Sequence, residues 1–276
     1  MSITLVNPRT VSGSDAFVQA ARPKNLEGAR VALLANGKTH GEFLLTSILE
    51  SLRKDHGIAD ARVWVKPHPS GPPTPSQLAE IRDFATVLIG AIGDCGSCSS
   101  CSVFDGMNFE REGIPSAIVI STPFIPTAAA IARINGAQSF RTVAIGHPVT
   151  SKTVEKLLED VEEATPQIVD ILLHGHQASD APSTNDGIVL GRDDAEVDRI
   201  LGDFRAALNN DGSDILLEGI DSSSLALRLV TTDASCADCV MPTSTIEAMI
   251  RSAFQARFGS HIEVELSDDR TMVDAQ

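Results

Sequence analysis

Residues 29–57 read ARVALLANGKTHGEFLLTSILESLRKDHG, and this stretch decides the fold class. ARVALLANG is a short apolar run closing on Gly37, the pattern of a strand buried on both faces. GEFLLTSILESLRKDHG carries its apolar residues at helical spacing and stops at Gly57. The alternation continues outward from there. ARVWVKP (61–67) is a second strand, PHPSGPPTP (67–75) a loop, SQLAEIRDF (76–84) a helix and ATVLIGAIG (85–93) a third apolar strand. A helix through SVFDGMNFERE (102–112) ends at Gly113 with Pro115 just beyond, which is ordinary helix-stop chemistry. IPSAIVIST (114–122), PTAAAIARING (126–136) and RTVAIGH (141–147) then read as strand, helix and strand. Apolar strands alternating with helices predict an α/β fold: a doubly wound, mainly parallel sheet.

Residues around 150–173 are helical in pattern and are followed by the polar stretch HGHQASDAPSTNDG (174–187). The expected division is an α/β domain over 1–176, a linker over 177–192 and a smaller α+β domain over 193–276. The last contains a helix (193–210), strands at 213–220 and 225–232, a helix over 242–259 and a strand at 261–267.

Composition excludes more than it identifies. A net charge of −15, with ten Phe, one Trp and no Tyr, argues against nucleic-acid partners, since both phosphate attraction and stacking platforms are lacking. The first thirty residues hold no continuous apolar segment of secretory type, and no run approaches the roughly 20 apolar residues that span a bilayer. A cytoplasmic location, without membrane partners, is the expectation. The five cysteines form two tight groups, 95–98–101 and 236–239, which in a cytoplasmic chain points to chemistry or metal rather than to a disulfide framework.

GAIGDCGSCSSC (90–101) begins where the third strand ends and leads into a helix. Parallel sheets bind ligands beyond the carboxyl ends of their strands, and a helix start stabilises a thiolate. Two thiols three residues apart can close a disulfide, one attacking and the other resolving the intermediate. Metal binding by Cys95, Cys98 and Cys101, and purely structural thiols, are alternatives at this point. Around the cluster, Asp94 could act as a base, orient a cationic group or simply cap a turn. His147, at the end of the fifth strand, is a candidate acid–base or substrate residue, or a core histidine. Asn36 and Lys38 close the first strand as candidate contacts for an anionic group, and Thr122 and Phe124 follow the fourth strand at the same edge. Glu110 is either a substrate contact or a solvated helix residue, and His174 and His176 fit the start of the linker better than a metal pair.

Four segments carry a family resemblance: LLANGK (33–38), IGDCGSCSSCSVFDGMNFEREGIPSAIVIS (92–121), TPF (122–124) and HP (147–148). They resemble the UGSC-motif (seleno)protein family, related to the selenoprotein B subunits of glycine, sarcosine and betaine reductases, over roughly residues 20–150. In members with selenocysteine, that residue stands at the position matching Cys95. The resemblance implies Cys95 as the attacking residue, Cys98 as its resolving partner, and reductive cleavage of a carbon–heteroatom bond in a small molecule. It leaves Cys101, outside the minimal motif, without an implied role. Residues 195–267 resemble the C-terminal domain of nitrogen-fixation-type (NifU-like) iron–sulfur scaffold proteins, although Ala234-Ser235 stands where a glycine usually precedes the first cysteine. That likeness implies Cys236 and Cys239 as ligands of a [4Fe–4S] cluster or zinc and a homodimer that shares the cluster. A dithiol that re-reduces Cys95 and Cys98 is the other use of the pair, and a separate thiol or electron-donor protein is a further expected partner. Three functions follow: a thiol-dependent reductase, an iron–sulfur or persulfide carrier, and a non-redox lyase or hydrolase with Cys95 as nucleophile and His147 as base.

Overall fold

The computed structural model describes residues 17–176, 194–209, 212–220, 224–231, 241–258 and 262–268. Five strands, β1 (Arg30–Ala35), β2 (Asp60–Val65), β3 (Val87–Gly93), β4 (Ser116–Ser121) and β5 (Val143–Ile145), form one sheet in the order β2-β1-β3-β4-β5. Every pairing within it is parallel. The connecting helices are α1 (Gly41–His56), α2 (Pro75–Phe84), α3 (Gly96–Arg111), α4 (Ile125–Ile134) and α5 (Val154–His174).

Strand alternation assigns the two faces. Val31, Leu33 and Ala35 of β1 pack with Val87, Ile89 and Ala91 of β3 against Leu44, Leu45 and Ile48 of α1 and Leu157, Ile168 and Ile171 of α5. Ala32, Leu34 and Leu88 point the other way, toward Ile81 and Phe84 of α2, Met107 of α3 and Ile131 of α4. Helices therefore cover both faces, which explains why these strands are continuously apolar rather than alternating. On the second face α3 lies close to the sheet because glycines line the contact. A Cβ on Gly106 would sit 2.6 Å from Ile118 Cγ1 and 2.9 Å from Phe140 Cζ.

Beyond α5, α6 (Asp194–Asn209) leads to β6 (Ser213–Ile220) and β7 (Ser224–Thr231), and α7 (Thr243–Phe258) crosses to β8 (Glu263–Asp268). These strands form a separate three-stranded sheet in the order β6-β7-β8, antiparallel then parallel. The unit does not stand apart from the larger sheet. Val197, Ile200, Leu201 and Phe204 of α6 share a continuous apolar core with Ala128, Ile131 and Ala132 of α4, and Arg133 pairs with Asp203 at 2.8 Å. The expected linker, 177–192, and the Cys236–Cys239 pair lie outside the described residues.

Two expectations fail at the amino-terminal edge of the sheet, and for one reason. Glu110 is neither solvated nor at the strand-end crevice: it is 1% exposed, in the last turns of α3. Its carboxylate accepts from Ala20 N (2.8 Å), Arg22 Nη1 (2.8 Å), Ser116 N (2.7 Å) and His176 Nε2 (3.1 Å). His176 is likewise not the start of a solvated linker. It is buried, stacks on Phe140 at 4.2 Å, and accepts from Arg141 N through Nδ1 at 2.9 Å. A chain crossing below the sheet needs its backbone donors satisfied, and Glu110 does this for residue 20 and residue 116 together.

The clasp has a pH signature. Burial alone would raise the Glu110 pKa, but hydrogen bonds from His176, Arg22 and Ser116 hold it below the usual carboxylate range. A depressed folded pKa contributes stability that is complete above the unfolded value of about 4.3 and lost as pH falls through the folded one. Glu110→Gln should therefore cost about 3 kcal/mol in urea unfolding at pH 7, with the gap to the native chain shrinking below about pH 4. A variant within about 0.5 kcal/mol of native at pH 7 would mean the clasp is idle.

Candidate active site

In the order β2-β1-β3-β4-β5 the connections leave β1 and β3 toward opposite edges, so the crevice of such a sheet opens between their carboxyl ends. Lys38 follows β1, Ser70 follows β2, Asp94 and Cys95 follow β3, Ser121 and Phe124 close and follow β4, and His147 follows β5. Every one of these positions is on that edge.

Cys95 is the N-cap of α3, in extended conformation (φ −157°, ψ 172°). Its sulfur takes the place that a serine or aspartate oxygen normally fills, accepting from Cys98 N at 3.3 Å. The approach is steep because Gly93 has no side chain. A Cβ there would meet Ile120 and lie 2.6 Å from Ser99 Oγ and 2.9 Å from Ser99 Cα. Asn36 fixes the end of β3 from β1, donating to Ile92 O at 2.8 Å and accepting from Ile92 N at 3.2 Å. Gly37, at φ 78°, turns the chain so that Lys38 Nζ reaches Cys95 Sγ at 3.4 Å. An ammonium, a backbone N–H and the positive end of a 16-residue helix thus surround one sulfur, and all three favour its thiolate.

Cys98 differs from it. It is fully buried, and its thiol is pushed up by its hydrogen bond to Cys95, by burial and by the charge on Cys95. The cluster therefore rests as one sulfur suited to attack and one thiol beside it. The loop after β2 closes over both. Ser70 Oγ lies 3.4 Å from Cys98 Sγ and 3.0 Å from Ser97 Oγ, and Ser97 Oγ lies 3.6 Å from Cys95 Sγ. Cys101 donates its S–H to Ser70 O at 2.7 Å, which makes it an anchor for that loop.

A carboxylate–imidazole pair sits across β4. Asp94 Oδ1 is 2.8 Å from His147 Nδ1 and accepts from Ser121 Oγ at 2.6 Å, while Oδ2 accepts from Val149 N at 3.2 Å. An ionised carboxylate only accepts, so Nδ1 carries the hydrogen and Nε2 holds the lone pair. His147 is 34% exposed, with Phe124 edge-on to its ring at 5.5 Å. The turn before it is braced from below: Lys152 Nζ donates to Gly146 O at 2.9 Å and to Asp160 Oδ1 at 2.7 Å.

Of the residues expected from sequence, Cys95, Cys98, Asp94, His147, Lys38 and Phe124 meet along this edge. Thr122 is there and exposed, Asn36 has its amide engaged within the frame, Cys101 faces the loop, and Glu110 is at the far end of α3. Sequence reading missed Ser70, Ser97, Ser121 and the buried pair Lys66–Asp105 (2.7 Å). The Pro-rich character of 67–75 was the available signal for Ser70, since a loop that rigid holds what it carries.

A model of the UGSC family matches residues 4–174, more than half of the chain. The chain belongs to the UGSC family. The match takes in all five parallel strands and the cysteine loop of this UGSC protein and ends on the last residue of α5, before the smaller sheet. No curated protein and no solved structure matches the chain. Among the described residues there is no group of three or more His, Cys, Asp or Glu side chains arranged to hold a metal, and no helix long and apolar enough to cross a membrane.

Proposed function

We propose that this UGSC protein is a cysteine-dependent redox enzyme acting on a small organic substrate in the cytoplasm. The seat of Cys95 carries the reading: a sulfur at a helix start, with Lys38 Nζ at 3.4 Å and a second thiol one turn on. The Cys95 thiolate displaces a heteroatom group X from carbon, forming a C–S bond as C–X breaks and X leaves with the electron pair. Cys98 then attacks the Cys95 sulfur, the S–S bond forms, the C–S bond breaks, and the carbon takes the proton equivalent that Cys98 gives up. R–X and the thiolate–thiol pair become R–H, X⁻ and a disulfide. His147, fixed by Asp94 with Nε2 as acceptor, handles protons at the reacting carbon and leaving group.

The disulfide returns to the dithiol by exchange with a second dithiol. We assign that supply to Cys236 and Cys239, or to a separate thiol or electron-donor protein. Tethering supports the first source, because it raises effective concentration. Pro242, three residues after Cys239, lies beside Gly71, with its Cγ 3.7 Å from where a Cβ would stand, and Gly71 follows the Ser70 that touches Cys98. In the NifU-like reading of residues 195–267, the pair instead holds zinc or a [4Fe–4S] cluster between two chains, and the cluster supplies electrons when bound. Anaerobic purification separates these. Iron and sulfide near four each per dimer, lost in Cys236→Ser, support the cluster. A colourless, iron-free protein in which Cys236→Ser blocks recycling but keeps a first turnover supports the dithiol.

A second reading keeps Cys95 as nucleophile and drops the reduction, with His147 as base for hydrolysis or elimination. The Asp94–His147 contact at 2.8 Å favours it, because that arrangement serves hydrolytic enzymes equally well. A panel of carbonyl compounds bearing an amine, thiol or oxygen leaving group on the neighbouring carbon, incubated with dithiothreitol, decides between them. The redox reading expects R–H and oxidised dithiol in equal amounts, and a stable Cys95 adduct in Cys98→Ser by mass spectrometry. Product release without dithiol consumption supports the second reading and sinks the first.

A further inference from the structure

In the redox reading the departing carbon takes up the proton that Cys98 gives up, and a chain of buried hydroxyls joins the two places. Ser70 Oγ is 3.4 Å from Cys98 Sγ and 3.0 Å from Ser97 Oγ, and Ser97 Oγ is 3.6 Å from Cys95 Sγ. Cys98, Ser70 and Ser97 are all 0% exposed, so bulk water does not reach the Cys98 thiol to collect its proton. A hydroxyl both donates and accepts, and each contact in the chain can hold its hydrogen in either direction. Ser70 belongs to a loop, yet its hydroxyl is held in place from both sides. Its N–H donates to His68 Nδ1 at 3.1 Å, and its carbonyl accepts from the Cys101 S–H at 2.7 Å. Ser97 stands in the first turn of α3, two residues after Cys95.

We infer that Ser70 and Ser97 are catalytic residues that carry the Cys98 proton to the carbon leaving Cys95, an inference that rests on the redox reading. In the resting cluster the Cys98 S–H is held by its hydrogen bond to the Cys95 sulfur. That sulfur is no longer an anion once it is bonded to carbon, and Ser70 Oγ stands ready as the acceptor. As Cys98 attacks, its proton passes to Ser70 Oγ, the Ser70 proton to Ser97 Oγ, and the Ser97 proton to the carbon. The electron pair of the Cys98 sulfur makes the S–S bond, and the C–S pair leaves with the carbon, where the delivered proton completes R–H. Both serines end as hydroxyls, and no charge is left in the dry interior. The Ser70 hydrogen bond favours ionisation of the Cys98 thiol against its burial, the direction this step needs. Two other groups face the reacting sulfur's side of the cluster. Lys38 Nζ, 3.4 Å from Cys95 Sγ, is a competing proton source. His147 rests with Nε2 as acceptor and holds no proton for the carbon until it has taken one.

Two disulfide probes test the delivery. Hydroxyethyl disulfide and an aromatic disulfide each leave a mixed disulfide on Cys95, which Cys98 resolves to the Cys95–Cys98 disulfide. The step is followed as loss of the adduct mass in quenched samples. An alkyl thiolate is basic and departs best with a proton, whereas an aryl thiolate is a weak base and departs without one. Internal delivery neither takes up nor releases a proton, so the native alkyl rate should be flat between about pH 6 and pH 8. In Ser97→Ala, and equally in Ser70→Ala, which breaks the chain at its other link, attack waits for a free Cys98 thiolate. The alkyl rate should then rise about tenfold per pH unit, and at pH 6 the alkyl-to-aryl rate ratio should fall about 10²-fold. A ratio unchanged in both variants, whether the two rates hold or fall together, overturns the inference. So does a native alkyl rate that climbs with pH, and a flat profile that survives both substitutions makes Lys38 the source instead. A native chain whose mixed disulfide never closes overturns the redox reading itself.

Discussion

Cys95→Ser should lower turnover by at least about 10⁴-fold, the scale on which enzymes lose rate when a covalent nucleophile is removed. The substitution is small in volume and keeps a side chain that can cap α3, so the fold should survive. What it removes is ionisation. Lys38 Nζ at 3.4 Å and Cys98 N at 3.3 Å favour a thiolate, but a serine hydroxyl at the same place stays protonated. Alkylation by iodoacetamide at pH 6 measures the effect without a substrate. An ordinary thiol is only about 0.3% thiolate there. Native protein should lose one thiol at least about 100-fold faster than its other cysteines react, the modified peptide should contain Cys95, and Cys95→Ser should lack the fast phase. A fast phase that maps to Cys98 or Cys101 would mean the roles within the cluster are reversed.

The strands were legible because burial on both faces leaves no room for polar residues. Runs such as RVALLA (30–35) and VLIGAIG (87–93) can hardly be anything else between helical patterns. Strand order was not legible. Nothing in a single strand records its neighbour, and the placement of β1 between β2 and β3 follows from packing α1 and α5 on one face and α2, α3 and α4 on the other. The smaller unit shows the opposite limit. Its elements were readable, but the packing of α6 against α4 of the larger unit is a contact between distant parts of the chain that no periodicity records.

The site divides along similar lines. That Cys95, Asp94 and His147 share one edge was legible because residues after the carboxyl ends of strands in one parallel sheet lie on the same side, whatever the loops do. Glu110 and His176 were misread because periodicity reports which residues are apolar, and a buried polar residue gives no such signal. Both are buried because they satisfy one another and the backbone donors of residues 20, 116 and 141, contacts spanning 90 residues of sequence in the case of Ala20. Ser70 and Lys66 were missed on the same ground: their partners lie on α3, 31 and 39 residues away.

Asp94→Asn carries the second largest expected effect, about 10²- to 10⁴-fold in turnover, and it acts without touching the nucleophile. In the native site Asp94 Oδ1 accepts from Ser121 Oγ at 2.6 Å and faces His147 Nδ1 at 2.8 Å, so only the tautomer with the hydrogen on Nδ1 is satisfied. An asparagine accepts through its oxygen but donates through its nitrogen. With the amide NH₂ toward the ring, Nδ1 becomes the acceptor and the hydrogen moves to Nε2, where a base is no longer present. Val149 N can still donate to the amide oxygen and Ser121 Oγ can accept from the amide nitrogen, so the loop at the end of β5 should keep its position and thermal stability should change little. The measurement that separates this from damage to the cluster is the pair of rates taken together. Iodoacetamide alkylation of Cys95 should remain near native while turnover on the carbonyl panel collapses. Turnover at the native rate would remove His147 from the chemistry and leave the Asp94–His147 contact as a brace for the turn at Gly146, and equal losses in both rates would show that Asp94 acts by holding Cys95 rather than by orienting the imidazole.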